Sequence, residues 1–399
     1  MQMSKSAKIL VCDRAIGKVI DIFLTTFLAS YFYQVSEQNM VYLAIYHIVT
    51  YIVATIGAFI VSDYIKRRNK IKLYRLGIAV KAFNIFLIIL LKEKIVDYVY
   101  LIGIVNGITT ATIGFPFNMM ESEQVESEER SKYQGYKEAA KNITGIAIPT
   151  FLGAYITFNS YQTAAILILV FSLLRFGLSL FIQNQNVQKE GIQLKEFITK
   201  MKKDNKIKKL YHIEFLKGIT VYGVMELVVS LLIIYELKND LELGVWTSIF
   251  AIITVISMFW FARYYHESRE NKILKVCVLF ILISFACMIF SINIYTVVLY
   301  NVVYYIFINM LLNITETRLF NYSSEDIYQD KFNTEYFIGR EIYLNIGRVL
   351  GYFILLIVGM TQNMSLLKIL LLLITIALIY IIRISKMLNR EEINEKNNN

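Results

Sequence analysis

The sequence predicts an all-α membrane protein with twelve transmembrane helices. Hydrophobic residues make up 56% of the 399 residues and charged residues only 18%, whereas soluble domains average about 45–50% and about 25%. Apolar runs of spanning length recur along the whole chain, and each run is continuous rather than alternating. Because lipid admits only helices and closed barrels, continuous runs indicate helices. A soluble fold is excluded, since it would expose large apolar patches.

Each predicted helix corresponds to one apolar run of about 20 residues. The first run is too long for the apolar core of a signal peptide, so we expect it to be a transmembrane helix. An even number of helices places both termini on one side of the membrane. The runs lie at 15–34, 41–62, 73–91, 98–119, 138–157, 161–183, 212–235, 243–262, 273–291, 294–317, 338–360 and 364–383.

The positions of lysine and arginine predict which side is cytoplasmic. Connections after even-numbered helices contain cation clusters at 66–70 and 189–209, whereas those after odd-numbered helices contain few cations. We therefore expect both termini to be cytoplasmic, in a plasma or inner membrane. The clustering of lysine and arginine in the cytoplasmic connections accounts for the net charge of +10. The cations lack the folded, aromatic-rich context of a nucleic-acid module, so we predict no nucleic-acid partner.

The two halves of the chain are similar to each other. The predicted organisation is an N-terminal six-helix half at 1–183, a cytoplasmic linker at 184–211, a C-terminal six-helix half at 212–385 and a cytoplasmic tail at 386–399. Six helices per half give both copies the same membrane orientation, which is a parallel repeat. At an offset of 203, Phe117-Asn118 falls on Phe320-Asn321, Lys137-Glu138 on Arg340-Glu341, and Asn142 on Asn345.

With this repeat and a long central loop, the sequence resembles the major facilitator superfamily of secondary transporters over nearly its whole length. The family signature after the second helix is roughly G-x-x-x-D-R-x-G-R-R, and Asp63, Arg67 and Arg68 match it. Both glycines and the first arginine of the signature are missing. A second signature, associated with drug and proton antiporters, retains Pro149 and Gly153 in the fifth helix. The resemblance implies alternating access between the two halves.

Small residues in the fifth helix also predict a close helix crossing. Gly145 and Gly153 are eight residues apart and lie on nearly one face. Two backbones could approach each other there, since small residues allow close packing in membranes.

Two charged residues in the C-terminal half are candidates for the transport pathway, because a charge in lipid costs about 2.5–3.5 kcal/mol even on insertion scales. Glu226 would lie about 12 Å deep and Arg348 about 9 Å deep, at 1.5 Å of rise per residue. Their repeat mates, Phe23 and Gly145, are uncharged, which favours a functional role. The alternative is a buried ion pair that only fixes packing.

The first helix carries three further charges. Arg14, Lys18 and Asp21 are spaced to share one helix face, and the resemblance implies that this face looks into the central cavity. Arg14 and Lys18 can reach cytoplasmic water by snorkelling, whereas Asp21 is shorter and deeper. We interpret Lys81 and Arg175, in the third and sixth helices, as structural residues that also snorkel.

Three asparagines lie in the helices that line the cavity in this superfamily. Asn106 is in the fourth helix, and Asn309 and Asn313 are in the tenth. By resemblance they are candidate substrate contacts. The alternative is that they form hydrogen bonds between helices.

By resemblance, the second and eleventh helices meet on the cytoplasmic side, and so do the fifth and eighth. Asp63 would then lie near Arg340 at the N-terminus of the eleventh helix, where the helix dipole favours an anion. The alternative is that these charges are solvated helix ends. The predicted cytoplasmic gate comprises Asp63, Arg67, Arg68, Lys137, Glu138, Arg340 and Glu341.

Motifs of catalysis, metal binding and nucleotide hydrolysis are missing from the sequence. The three histidines are isolated and no phosphate-binding loop occurs, so we predict neither an enzyme, nor a cofactor, nor a metal site. The predicted function is proton-coupled export of an amphipathic small molecule across the bilayer. The alternatives are import of a nutrient such as a sugar or peptide, and a non-transporting receptor or assembly protein on the same fold.

Overall fold

The computed structural model describes residues 4–67, 69–125, 130–182, 193–225, 227–228, 239–266, 269–290, 293–323, 332–361 and 364–398. Within these ranges the regular structure is entirely helical. The prediction of an all-helical protein is therefore confirmed.

Six long helices precede the linker. Side chains of Asn69 and Ser160 cap the third and the sixth by accepting hydrogen bonds from the backbone N–H groups of Ile71 and Thr163. A short 3₁₀ turn at Lys92–Val96 follows the third helix. The helices are α1 at Lys5–Val35, α2 at Met40–Arg67, α3 at Lys70–Leu91, α4 at Val99–Gln124, α5 at Arg130–Phe158 and α6 at Tyr161–Ser179.

A linker helix at Leu194–Lys203 leads to the second set of helices. Asp204 starts the next helix, because its carboxylate accepts hydrogen bonds from the N–H groups of Lys206 and Ile207. The later helices are α7 at Asn205–Ile219, continued by a π-helical segment at Thr220–Met225, α8 at Asp240–Tyr264, α9 at Glu270–Phe290, α10 at Ile294–Ser323, α11 at Asn333–Thr361 and α12 at Met364–Asn398.

Ten of the described helices are long and apolar enough to cross a membrane. The other two of the twelve are α5, which opens on a charged stretch, and α7, which the structure describes as a regular α-helix only to Ile219. Among the described residues, a helix thus overlaps each of the twelve predicted runs, and the seventh run lies outside the described residues from 229 onwards. The chain is an integral membrane protein, as the apolar runs predict.

Contacts group the chain into two compact units. Unit 1 comprises Met1–Gly191 together with Ile233–Ala251, and unit 2 comprises Ile192–Leu232 together with Ile252–Asn399. The beginning of α8 is thus grouped with unit 1. The division of the sequence at 183 and 212 stays a prediction.

Two helices contain π-helical turns, one in each unit. In α1 the π-turn occupies Phe23–Phe27. The segment after α7 is kinked at Gly223, whose φ of −118° and ψ of −110° are not helical. π-Turns inside α-helices occur frequently at functional sites, so both segments mark regions of interest.

The linker helix docks onto unit 2. Its Phe197 is buried and packs against Phe332, with ring centroids 5.9 Å apart. The backbone N–H of Gln193 donates to Oε1 of Glu335 at 2.7 Å. Part of the predicted linker is therefore a surface helix with one apolar side attached to the body of unit 2.

The charge distribution predicts the accessibility of this linker helix in cells. A cysteine replacing exposed Lys202 should react with a membrane-impermeant maleimide only after the cells are permeabilised, because cations accumulate on the cytoplasmic side. The matched control is Glu93→Cys, in an exposed connection predicted to be extracellular, which should react in intact cells. Both variants need the exposed Cys12 replaced by serine. Labelling of position 202 in intact cells would contradict the topology.

Candidate functional site

A buried ionic network connects α1, α3 and α6 in unit 1. Asp13 is fully buried and accepts hydrogen bonds from Nη2 of Arg175 at 3.0 Å and from the hydroxyl of Tyr74 at 2.5 Å. Arg175 is only 2% exposed, so it has a structural role, as the sequence predicts, through a buried ion pair and not through snorkelling. Pairing with Asp13 offsets the cost of burying the guanidinium.

Asp21, a predicted pathway residue, forms an ion pair with Lys81 of α3. The Lys81 side chain is 11% exposed and the Asp21 side chain 51%. The interpretation of Lys81 as structural agrees with this contact, in which its ammonium group pairs with a carboxylate on α1. Asp21 keeps one side open while its charge is balanced.

A second ionic group of unit 1 lies where α4 ends and α5 begins. Glu121 accepts a hydrogen bond from the hydroxyl of Tyr133 at 2.5 Å and pairs with Nζ of Lys137 at 3.1 Å. Arg14 approaches the same carboxylate at 3.9 Å and donates to Asn118 at 3.0 Å. Lys137, predicted to belong to a gate, thus has a described partner inside its own unit.

The other predicted gate residues of unit 1 are exposed or incompletely described. Glu138 pairs with Lys141 at 3.0 Å, and the two side chains are 51% and 40% exposed. Exposed pairs of this kind contribute only about 0–1 kcal/mol. Asp63 lies near the end of α2. Arg68 lies outside the described residues, as does the side chain of Arg67.

Unit 2 contains a larger ionic group, which we call the unit 2 cluster. The buried Glu214 pairs with Nζ of Lys217 at 2.7 Å and with Nε of Arg340 at 3.0 Å. Nη1 of Arg340 pairs with Glu341 at 3.1 Å, and its Nη2 lies 3.9 Å from Glu316. The unit 2 cluster consists of Glu214, Lys217, Tyr222, Glu316, Arg340 and Glu341.

Cations occupy matching positions in the two halves of the chain but pair with carboxylates of different helices. Lys137 and Arg340 are repeat mates. Lys137 binds a carboxylate of α4, Glu121, whereas Arg340 binds a carboxylate of α7, Glu214. The repeat thus retains a cation near the start of α5 and of α11.

The asparagines of α4 and α10 also correspond between the halves. Nδ2 of Asn106 lies 3.4 Å from Oγ1 of Thr50 on α2, and Nδ2 of Asn309 lies 3.4 Å from Oγ1 of Thr254 on α8. Asn106 and Asn309 are repeat mates, so the same contact between helices occurs twice. This supports the alternative that they connect helices. Asn313 is exposed.

Arg348 contacts the kinked segment after α7. Its Nε donates to the carbonyl oxygen of Tyr222 at 2.9 Å, and its Nη1 donates to Asn345 at 2.8 Å. Glu226 lies outside the described residues. Pairing of Glu226 with Arg348 therefore stays a prediction.

One close crossing brings α5 against the beginning of α8 within unit 1. A Cβ on Gly153 would lie 2.5 Å from the carbonyl oxygen of Asp240 and 3.2 Å from Cα of Gly244. At Gly145, no heavy atom of another described segment lies within 4 Å of a Cβ. The predicted close approach is thus confirmed at Gly153, and at Gly145 it stays a prediction. Nearby, Ser30 on α1 donates to the Asp240 carboxylate at 2.5 Å.

A second close crossing brings α7 against α11 within unit 2. A Cβ on Gly347 would overlap the carbonyl oxygen of Phe215 and lie 3.0 Å from Cα of Gly218. Gly351, four residues later, also lies close to α7, with 2.8 Å from a Cβ to the carbonyl oxygen of Ile219. Glycines at this spacing allow backbones to touch in membranes. The spacing is visible in the sequence and predicts this crossing.

Comparison with known proteins gives the family. The sequence family described as the Major Facilitator Superfamily matches residues 15–352. The chain belongs to the major facilitator superfamily. Among curated proteins, none matches this superfamily member in sequence.

Solved structures of low sequence identity share its fold. This superfamily member is similar to a bacterial homologue of the iron transporter ferroportin in an inward-facing state, with a TM-score of 0.69 and 12% identity over 98% of this chain and 100% of that one. It is also similar to the nucleoside transporter NupG, with a TM-score of 0.68 and 10% identity over 96% and 99%. A bacterial metal transporter gives 0.62 and 13% over 97% and 99%. The superfamily and these structures indicate a secondary transporter.

Several site residues are not among the sequence-based candidates. Most lie near the ends of the apolar runs, where a charge is expected to be solvated. Glu214 and Glu316 are charged residues that a simple signal would have found, because they fall inside the seventh run, 212–235, and the tenth run, 294–317. Among the described residues, no group of three or more His, Cys, Asp or Glu could hold a metal ion. The residues missed are Asp13, Tyr74, Glu121, Glu214, Tyr222 and Glu316.

Proposed function

We propose that this protein is a proton-coupled secondary transporter that exports an amphipathic small molecule by alternating access. The observation that carries the proposal is the unit 2 cluster, in which three carboxylates on α7, α10 and α11 surround Arg340. Ionisable groups within membrane helices are expensive and mark substrate and proton pathways. Binding of one proton changes the net charge of these groups, and coupling of transport to protons requires such a change.

For the pathway and the cytoplasmic gate, we propose the same residues that the sequence predicts. Asp21 supports a pathway role, because its carboxylate is half exposed beside Lys81. Both termini and the gate are placed on the cytoplasmic face of a plasma or inner membrane by the cation distribution. The proposed pathway comprises Asp21, Asn106, Glu226, Asn309, Asn313 and Arg348, and the proposed gate comprises Asp63, Arg67, Arg68, Lys137, Glu138, Arg340 and Glu341.

Export is supported by the fifth helix. Pro149 and Gly153 match part of the signature associated with drug and proton antiporters, and Gly153 makes the close backbone contact with α8. The second candidate is nutrient import. The similarity of the fold to the nucleoside transporter NupG favours this candidate.

Transport by the full chain in liposomes tests the proposal. With a pH gradient imposed, ethidium as the amphipathic probe should accumulate, and a protonophore should abolish the accumulation. Glu226→Gln should abolish accumulation but still permit exchange, because an amide cannot carry the proton. Uridine movement without ethidium movement would favour the import candidate. Full coupled transport in Glu226→Gln would remove Glu226 from the proton pathway.

A further inference from the structure

Glu316 occupies an unusual place in the unit 2 cluster. Its Oε1 accepts a hydrogen bond from the hydroxyl of Tyr222 at 2.5 Å. The cation that approaches it is Nη2 of Arg340 at 3.9 Å, which is too far for a hydrogen bond. Its side chain is 32% exposed. Glu316 is thus held by a neutral donor and remains in contact with solvent.

The charges of the unit 2 cluster do not balance. Three carboxylates, those of Glu214, Glu316 and Glu341, meet two cations, Lys217 and Arg340. Glu214 takes a short contact from each cation, and Glu341 takes a contact of 3.1 Å from Arg340. Among the described residues of this cluster, the excess negative charge therefore falls on Glu316. One bound proton removes this excess charge.

Two further cations in the described part of unit 2, Arg348 and Arg318, have other partners. Arg348 lies over the Tyr222 ring, with its guanidinium carbon 5.9 Å from the ring centroid, and donates to the Tyr222 carbonyl and to Asn345. Arg318, on the same helix as Glu316, pairs with Glu270 of α9 and donates to Ser385 of α12.

Exposure separates the three carboxylates as proton acceptors. The Glu214 side chain is only 1% exposed, so it exchanges poorly with water. Glu341 is 32% exposed, as Glu316 is, but it has a close ion pair with Arg340. Glu316 combines access to water with the weakest contact to a cation.

We propose that Glu316 is a proton-binding residue positioned by Tyr222, an inference that rests on the proposed proton-coupled function. A hydronium ion transfers its proton to a carboxylate oxygen of Glu316: one O–H bond of the hydronium ion breaks, one forms on the carboxylate, water is left, and the unit 2 cluster becomes neutral. The Tyr222 hydroxyl then donates to a neutral acid instead of a carboxylate. Hydrogen bonds to charged acceptors are roughly twice as strong as neutral ones, so protonation weakens the link between α10 and the segment after α7.

The hydrogen bond between Tyr222 and Glu316 attaches the segment after α7 directly beside its kink at Gly223. Tyr222 precedes Gly223, whose carbonyl oxygen accepts a hydrogen bond from Tyr352 of α11 at 2.8 Å. The Tyr222 carbonyl is held by Arg348 of the same helix. The two contacts with α11 do not involve Glu316 and stay when its contact with Tyr222 weakens. Proton binding thus loosens the attachment of the kinked segment to α10 while its attachment to α11 is kept.

Infrared difference spectroscopy of the full chain in lipid nanodiscs tests the site without a substrate. Between about pH 9 and about pH 3, which lie on either side of the ordinary glutamate value of about 4.3, one protonated-carboxyl band of the wild type should be missing in Glu316→Gln. The same band should shift in Tyr222→Phe, which retains the carboxylate but removes its donor. Glu341→Gln, equally exposed, is the matched control and should keep this band.

Two results would overturn the proposal. The first is a difference spectrum of folded Glu316→Gln identical to that of the wild type, together with an unshifted band in Tyr222→Phe. The second is wild-type coupling in liposomes that Glu316→Gln retains in full, whereas the proposal expects loss of accumulation to the level seen with a protonophore. A wild type that shows no coupling contradicts the proposed function instead, and the spectra still decide whether Glu316 binds a proton.

Discussion

Asp13→Ala should lower the free energy of unfolding by about 3–5 kcal/mol, because it leaves the buried guanidinium of Arg175 without its anion. The Arg175 side chain is 3% exposed, so water cannot replace the lost carboxylate. The Tyr74 hydroxyl loses its acceptor in the same step. Thermal and denaturant unfolding in detergent, followed by circular dichroism, measures the change.

Two comparison variants make this result specific. Glu138→Ala removes a carboxylate of an exposed pair and should cost only about 0–1 kcal/mol. Replacing Asp13 and Arg175 together with leucine and methionine should restore much of the stability, since apolar residues often substitute for a buried ion pair at no loss. Equal stability of Asp13→Ala and Glu138→Ala would contradict the buried network.

Gly347→Ala should destabilise the protein by about 1–3 kcal/mol, because overpacking forces the two backbones apart. The added Cβ would overlap the carbonyl oxygen of Phe215 on α7. The loss should occur even though alanine is the better helix former by about 1 kcal/mol. The measurement is again the unfolding midpoint in detergent.

Gly145→Ala is the matched control for this crossing. Gly145 lies in the middle of α5, and no heavy atom lies within 4 Å of the Cβ position. Its replacement should leave stability unchanged or raise it by up to about 1 kcal/mol. If both alanine variants behave alike, α7 and α11 do not cross at Gly347.

Helix positions could be predicted from the sequence because span length and hydropathy are local properties. Partners of charged residues could not, because they depend on packing between distant parts of the chain. Asp13 lies just before the first apolar run, where a solvated helix end is the ordinary expectation, yet it pairs with a residue 162 positions away. Lys81 was long enough to snorkel, and only the fold brings Asp21 beside it.

The internal repeat could not reveal the partners of charged residues either. It identified Lys137 and Arg340 as related positions, but it could not show that their carboxylates come from different helices. Gly153 and Gly145 show that close helix packing is equally hard to predict from sequence. Two glycines on one helix face cannot be told apart until the position of the neighbouring helix is known.

The π-helical turn of α1 changes how this helix must be aligned with related sequences. A turn of this kind holds one residue more than an α-turn, so the parts before Phe23 and after Phe27 differ in phase by one residue. The rule that residues three or four positions apart share a helix face holds on either side of the π-turn but not across it. A homologue of equal length without the π-turn would turn Ser30 and Gln34, which hold Asp240, by about 100° around the helix axis, whereas a homologue with one residue fewer and an ordinary α-turn would keep them in place. An alignment gap at this position therefore indicates loss of the π-turn and not a change of helix face.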